Sequence, residues 1–176
     1  MTEQAHIFQI NLSKGGVPKN PVRQGEVTEV GLVGDVQRDK RYHGGPMRAL
    51  CLYPLELIVQ LQREGNPIYP GSIGENITTA GLDFSTLQVG DRLQLGAVVV
   101  EITDYAVPCS KIKGSFKNEK IGRVSAKIHP GESRVYVKIL QTGVITVGDA
   151  IAVMDFAPSP NPFLTAAGKG SIFTRS

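Results

Sequence analysis

Apolar and polar residues alternate with a period near two over residues 5–12, the pattern of a strand with one buried face. The next stretch, Ser13-Lys14-Gly15-Gly16-Val17-Pro18-Lys19, breaks that pattern, and its paired glycines and proline predict a loop. Residues 27–33 predict a second strand, closed by a Gly34-Asp35 turn, and residues 49–53 a short apolar one. Pro54 follows at a place where the first turn of a helix tolerates a missing N–H. Leu55, Ile58, Val59 and Leu61 give that helix an apolar face, which stops at Gly65-Asn66-Pro67. Beyond a loop over residues 71–76, the pattern returns to strands at 92–95, 97–103, 134–141 and 150–154. Val89-Gly90-Asp91-Arg92-Leu93 is echoed by Val147-Gly148-Asp149-Ala150-Ile151, and turn chemistry suffices to explain the repeat.

Strands thus dominate, a helix or two interrupt them, and no alternation of strand and helix appears. This predicts a mainly β fold, a closed or nearly closed β-barrel with a few helices. Residues 1–156 form the expected domain. Residues 157–176, rich in Pro, Ser, Gly and Ala, read as an extension or as an arm onto the neighbouring subunit of a homodimer. A chain of 176 residues buries about 70% of its unfolded surface, so its core needs no metal or disulfide staple.

The two cysteines, Cys51 and Cys109, form no CxxC and are too few for a disulfide framework or a structural zinc site. The first residues lack a signal-peptide pattern, and no apolar run approaches the roughly 18 residues of a membrane span. The expected compartment is the cytoplasm, with both thiols reduced and no membrane partner. A net charge of +3 makes no case for nucleic acid, but its distribution is uneven. Lys111, Lys113, Lys117, Lys120, Arg123, Lys127, Arg134 and Lys138 face only Glu119 and Glu132 in residues 111–138. This segment is either a solvated basic face or a rim for an anionic ligand.

Three short clusters bear chemistry. In His43-Gly44-Gly45-Pro46-Met47-Arg48, the glycines let backbone N–H groups approach a ligand while His43 and Arg48 donate to an anion. Alternatively, the cluster is a turn with surface side chains. Gly71-Ser72-Ile73-Gly74-Glu75-Asn76-Ile77 offers a carboxylate and an amide for paired hydrogen bonds, or is simply a loop. In Tyr105-Ala106-Val107-Pro108-Cys109-Ser110-Lys111, the thiol precedes an expected helical turn, and nearby Lys111 and Lys113 favour thiolate. Cys51, between Leu50 and Leu52, reads instead as an inert core residue. His6 and His129 have no companion at metal-ligand spacing.

In this order the clusters resemble the MOSC family, named for the C-terminal domain of molybdenum cofactor sulfurase. The likeness runs from Gly15-Gly16-Val17-Pro18-Lys19 through Gly34-Asp35-Val36-Gln37, Asp39 and His43-Gly44-Gly45-Pro46 to Arg48-Ala49-Leu50 and Leu52-Tyr53-Pro54. It continues in Gly74-Glu75-Asn76-Ile77, Val89-Gly90-Asp91, Pro108-Cys109 and Val147-Gly148-Asp149. The resemblance implies a pyruvate-kinase-type β-barrel and a molybdenum cofactor of molybdopterin type whose metal takes Cys109 as sulfur ligand. A soft thiolate suits that centre. It also implies a cofactor pocket lined by His43, Gly44, Gly45, Arg48, Glu75 and Asn76, with Lys111 and Lys138 on its basic side. Lys138 stands where stand-alone bacterial relatives often carry Arg, and Val135 where they carry Trp. The pyridoxal-phosphate desulfurase domain of the sulfurase has no counterpart here, so pyridoxal phosphate is only a family association.

Three functions follow as expectations. One is an oxidoreductase for N-hydroxylated bases or related N-oxygenated small molecules, served by a separate electron-donor protein because the chain has no flavin, haem or iron–sulfur motif. Another is a sulfur carrier holding a persulfide on Cys109, supplied by a sulfur donor. The last is a non-catalytic cofactor-binding module.

Overall fold

The computed structural model describes residues 3–36 and 44–155, and the expected tail at 157–176 lies outside them. The strands are β1 (His6–Leu12), β2 (Asn20–Val22), β3 (Gln24–Thr28), β4 (Gly31–Leu32), β5 (Leu50–Pro54) and β6 (Ile77–Ala80). They continue with β7 (Arg92–Leu95), β8 (Val98–Tyr105), β9 (Val135–Gln141), β10 (Gly143–Thr146) and β11 (Ile151–Met154). The α-helix α1 spans Leu55–Arg63, and 3-10 turns cover Ser110–Ser115, Lys117–Glu119 and Ile121–Val124.

Eight strands form one sheet in the order β11-β7-β8-β9-β5-β6-β1-β2, and β10-β3-β4 form a second. All pairs are antiparallel except β5 with β6, whose connection includes α1. A parallel pair needs such a long crossover, so the helix follows from the topology. The large sheet curls until β1 meets the chain entering β11. There Ile7 N–H donates to Asp149 O at 2.9 Å and Ile151 N–H to Ala5 O at 2.7 Å, around the His6–Ala150 bridge. These bonds span the seam without a continuous ladder, so the fold is mainly β and barrel-like but not fully closed.

Strand alternation divides the interior. Leu50 and Leu52 of β5 and Val135 and Val137 of β9 pack inward with Ile7, Ile10, Leu93, Leu95, Val98 and Val100. The opposite faces of these strands are covered too. Tyr53 joins Ile58, Leu61, Ile73, Ile112, Phe116 and Val124 beneath α1 and the 3-10 turns, while Cys51, Ala106 and Tyr136 form a small cluster beside them. Both faces of β5 are therefore buried, and its outer face borders the site.

Two local readings change. Residues 27–33 are a hairpin, with Val27 opposite Leu32 and Thr28 opposite Gly31. Its turn residues, Glu29 and Val30, lack the usual Asn-Gly or Asp-Gly chemistry. Gly31, at φ +122°, passes so close to Ala49 that a Cβ would lie 2.4 Å from the Ala49 carbonyl oxygen. The strand β6 was not expected, because Ile-Thr-Thr-Ala lacks period-two contrast; all four residues are buried. No helix among the described residues is long and apolar enough to cross a membrane.

Candidate functional site

The ladder between β8 and β9 is continued by Ala106 N–H, which donates to Arg134 O at 2.9 Å. Val107 and Pro108 then leave the sheet. Pro108 has no N–H to extend the ladder, and Cys109 becomes the first extended residue before the 3-10 turn at Ser110–Ser115. Ile112 N–H closes the turn on Cys109 O at 3.2 Å. This places a free, half-buried thiol on the wall of a cavity of about 90 Å³ between the outer faces of β5 and β9, the 3-10 turn and the loops at 13–19 and 71–76.

Four cationic side chains line this cavity: Lys19, Arg48, Lys111 and Arg134. No acidic side chain lines it among the described residues. Lys19 is buried against Asp35, with Nζ 2.6 and 2.7 Å from the two carboxylate oxygens. Asp35 also accepts from Ser13 N–H at 2.8 Å and Asn76 Nδ2 at 2.9 Å, which pins the loop to the sheet. Arg48 reaches Asp104 at 3.2 Å and lies over the Tyr136 ring, 5.2 Å from its centroid. Arg134 is 4% exposed; its Nη1 donates to Ile73 O at 2.6 Å, while Nε and Nη2 are buried with no hydrogen-bond partner among the described residues.

Of the residues singled out in the sequence, Arg48, Asn76, Cys109 and Lys111 meet at the cavity. Asn76 is already engaged, accepting from Cys51 N–H at 3.0 Å and donating to Asp35 and to Asn11 O. Glu75 does not line the cavity. It is wholly buried, and Oε1 accepts from Gly71 N–H at 2.6 Å and the Thr78 hydroxyl at 3.1 Å, leaving Oε2 with no partner among the described residues. Burial holds its carboxyl above the ordinary carboxylate range, opposed by those hydrogen bonds. Gly44 and Gly45 do not line the cavity; both have positive φ and lead into the Pro46–Arg48 turn, where Arg48 N–H donates to Gly45 O. His43 lies outside the described residues.

The basic segment does not form one rim. Lys138 is paired with Glu101 at 2.9 Å away from the cavity, and Lys113 with Glu119 at 2.9 Å. Arg123 joins Glu64 at 2.8 Å and also Glu132. Only Lys111 and Arg134 of this segment reach the cavity wall.

Lys19, Cys51 and Tyr136 also line the cavity but have no site role in the sequence reading, where Arg134 figures only as one member of the basic segment. Cys51 is a core thiol in its chemistry, since burial pushes it up to about 11. Burial likewise raises the Tyr136 hydroxyl. What this arrangement offers is one accessible soft donor beside a set of cations, a combination suited to a ligand with an anionic group and a thiophilic centre.

The chain is similar to known proteins in both sequence and structure. The MOSC domain family matches residues 39–152. YiiM of Escherichia coli (strain K12) is 30% identical over 171 residues, covering 85% of this chain and 76% of the relative. YflK of Bacillus subtilis (strain 168) is 29% identical over 136 residues, covering 76% of this chain and 60% of the relative. The crystal structure of YiiM from Geobacillus stearothermophilus superposes with a TM-score of 0.67 at 28% identity, covering 86% of this chain and 75% of that one.

Proposed function

Because the chain belongs to the MOSC domain family, we propose that it binds a molybdenum cofactor of molybdopterin type through Cys109 and reduces N-hydroxylated bases or related N-oxygenated compounds. The observation that carries this reading is the half-buried Cys109 thiol on a cavity wall with four cationic side chains and no acidic one among the described residues.

The residues fit such a group. A cofactor with a phosphate needs cations that are not already saturated, and Arg134 has two buried nitrogens with no partner among the described residues. A molybdenum–sulfur centre needs a soft ligand, and Cys109 is the accessible thiol. The enclosed volume suits a phosphate-sized group, so the rest of a pterin would lie outside it. When bound, the cofactor would supply a metal centre able to accept oxygen from an N–O bond. Cys109 would hold the metal through sulfur, and Arg48, Lys111 and Arg134 would balance the anionic charge. The wall beneath is kept rigid by Asn76, whose amide ties β5 to Asp35. Electrons would come from a separate donor protein, since the sequence carries no flavin, haem or iron–sulfur motif.

The test is protein purified from a host that makes the cofactor, with molybdenum, cyanide-releasable sulfur and N-reduction measured on one sample. The expected result is equimolar molybdenum, and turnover of an N-hydroxylated base with reduced methyl viologen as electron donor. Metal-free protein with transferable, cyanide-releasable sulfur would make the chain a sulfur carrier. Molybdenum without turnover across several donors and substrates would make it a storage or delivery module.

A further inference from the structure

The segment at 109–128, built on the 3-10 turns after Cys109, has two unlike faces. Ile112, Phe116 and Val124 turn inward and pack with Tyr53, Ile58 and Leu61. That leaves Lys111, Lys113, Lys117, Lys120 and Lys127 on the outer face, all of them exposed. Glu119 is the one carboxylate in residues 109–128, and Lys113 already meets it at 2.9 Å. Lys111, Lys117, Lys120 and Lys127 have no carboxylate partner among the described residues. The surface of β7, β8 and β9 is different: there Arg92 and Lys138 share Glu101. A solvated surface gains by mixing signs in that way, whereas an unneutralised run of one sign repels itself.

Like charges held together on a surface create a field that draws in an oppositely charged partner and speeds its docking. These ammonium groups do not converge on one small anion, since Lys111 alone of the five lines the cavity. They suit a broad acidic surface. The patch starts at the thiol, because Lys111 lies in the 3-10 turn that Cys109 opens. Val36, on the cavity wall, and Val107, two residues before Cys109, add exposed apolar side chains at that end. A small apolar contact within a charged field is the make-up of a weak, quickly exchanging complex of the kind electron carriers form. We propose that this lysine patch is the docking surface for an acidic electron-carrier protein, which it brings to the Cys109 end of the cavity. The inference rests on the reductase reading for the carrier's task, and adds where the carrier binds and what charge it bears. Reduction of R–NHOH to R–NH2 consumes two electrons and two protons and releases water; the carrier supplies the electrons and solvent the protons.

The probe is flavodoxin, an acidic flavin-carrying protein, titrated calorimetrically into the full chain with and without cofactor, at low and high ionic strength. Wild type is compared with Lys117→Glu/Lys120→Glu and with Arg23→Glu, a charge reversal at an exposed position between β2 and β3. Wild type is expected to bind flavodoxin and to lose affinity as salt rises. The lysine variant should bind about tenfold or more weakly, and Arg23→Glu about as well as wild type. Neither Lys117 nor Lys120 lines the cavity, so turnover with reduced methyl viologen, which needs no docking, should be unchanged in the lysine variant. Turnover driven by flavodoxin should fall with the binding. Loss of methyl viologen turnover in wild type would remove the reductase reading, and flavodoxin binding would still report on the patch. Should the lysine variant fail to fold, carbodiimide cross-linking of wild type to flavodoxin gives the answer, with the links expected on Lys117, Lys120 or Lys127. Absent or salt-independent flavodoxin binding, equal binding by the lysine variant, or cross-links confined to other lysines would overturn the proposal. So would lysine-dependent sedimentation with phosphatidylglycerol vesicles in place of flavodoxin binding, which would make the patch a membrane-contact surface.

Discussion

The Lys19 ammonium sits between both carboxylate oxygens of Asp35, at 2.6 and 2.7 Å, with both side chains almost wholly buried. Asp35 in turn accepts from Asn76, so one ion pair anchors a loop, the residue that precedes β6 and a wall of the cavity. Breaking a buried pair leaves a charge without compensation and typically costs about 3–5 kcal/mol. Lys19→Met should lower the free energy of urea unfolding by about that amount, and a Lys19→Met/Asp35→Leu double variant by clearly less. A loss of under about 1 kcal/mol in the single variant would mean that the pair behaves as a surface contact.

The two thiols should separate by reactivity. Cys51 is buried and pushed up to about 11, whereas Cys109 is half-exposed at the cavity mouth. Iodoacetamide at neutral pH should label Cys109 first, and Cys51 only once the fold opens; peptide mass mapping reads the order. Cys51 also makes a pH prediction. Its folded value lies above the ordinary thiol value, so its contribution to stability is intact below about pH 9 and is lost as pH rises through about 11. The full effect is roughly 2–3 kcal/mol. The buried hydroxyls of Tyr53 and Tyr136 act in the same direction. The comparison that isolates the thiol is therefore wild type against Cys51→Ala, which should lose less stability over that range. Identical pH curves would show that Cys51 reaches solvent.

Glu75 carries the opposite sign from most carboxylates. Burial raises it, so the stability it confers is present when it is protonated and is lost as pH rises through its folded value. Glu64, Asp83 and Glu101 are lowered by their hydrogen bonds and ion pairs and pull the other way at more acidic pH. The difference between Glu75→Gln and wild type removes those shared terms. Urea midpoints measured from about pH 4.5 to 8 should move in favour of Glu75→Gln as the pH increases. A difference independent of pH would mean that Glu75 is ionised throughout and that its Oε2 is solvated.

Alternation made β7 and β8 readable within one or two residues, because each keeps one face in the core while the other is more exposed; β9 and β11 were located as closely, although β9 buries both faces over Val135–Val137 and β11 buries only Ile151. It failed for β6, where Thr78 and Thr79 are buried as fully as Ile77 and carry no contrast. Cys109 could be located because proline and a coming turn surround it. Arg134 could not, since in the chain it is one more basic residue between Lys111 and Lys138. Its burial arises from the tertiary fold, when the outer face of β9 is roofed by the turns near Ile112 and Phe116. For the same reason the basic segment reads as one rim in the sequence and divides in the structure: Lys113, Arg123 and Lys138 each find a carboxylate brought close by folding.

Arg48 and Lys138 were alike in the sequence as candidate anion contacts, and the structure gives them different surroundings. Arg48 lines the cavity, and its contact with Asp104 is an exposed one at 3.2 Å, the kind of pair worth under about 1 kcal/mol. Lys138 lies outside the cavity, held by Glu101, which Arg92 also contacts at 3.1 Å. Under the proposed cofactor role, Arg48→Ala removes a charge-assisted contact of about 1.5–3 kcal/mol and should weaken cofactor retention roughly tenfold or more. Lys138→Ala should leave retention unchanged and alter stability by less than about 1 kcal/mol. Both can be read from molybdenum and released pterin fluorescence after extended dialysis, with circular dichroism confirming the fold. The reverse pattern, retention lost in Lys138→Ala and kept in Arg48→Ala, would move the cofactor from this cavity to the surface where β8 and β9 pair Lys138 with Glu101.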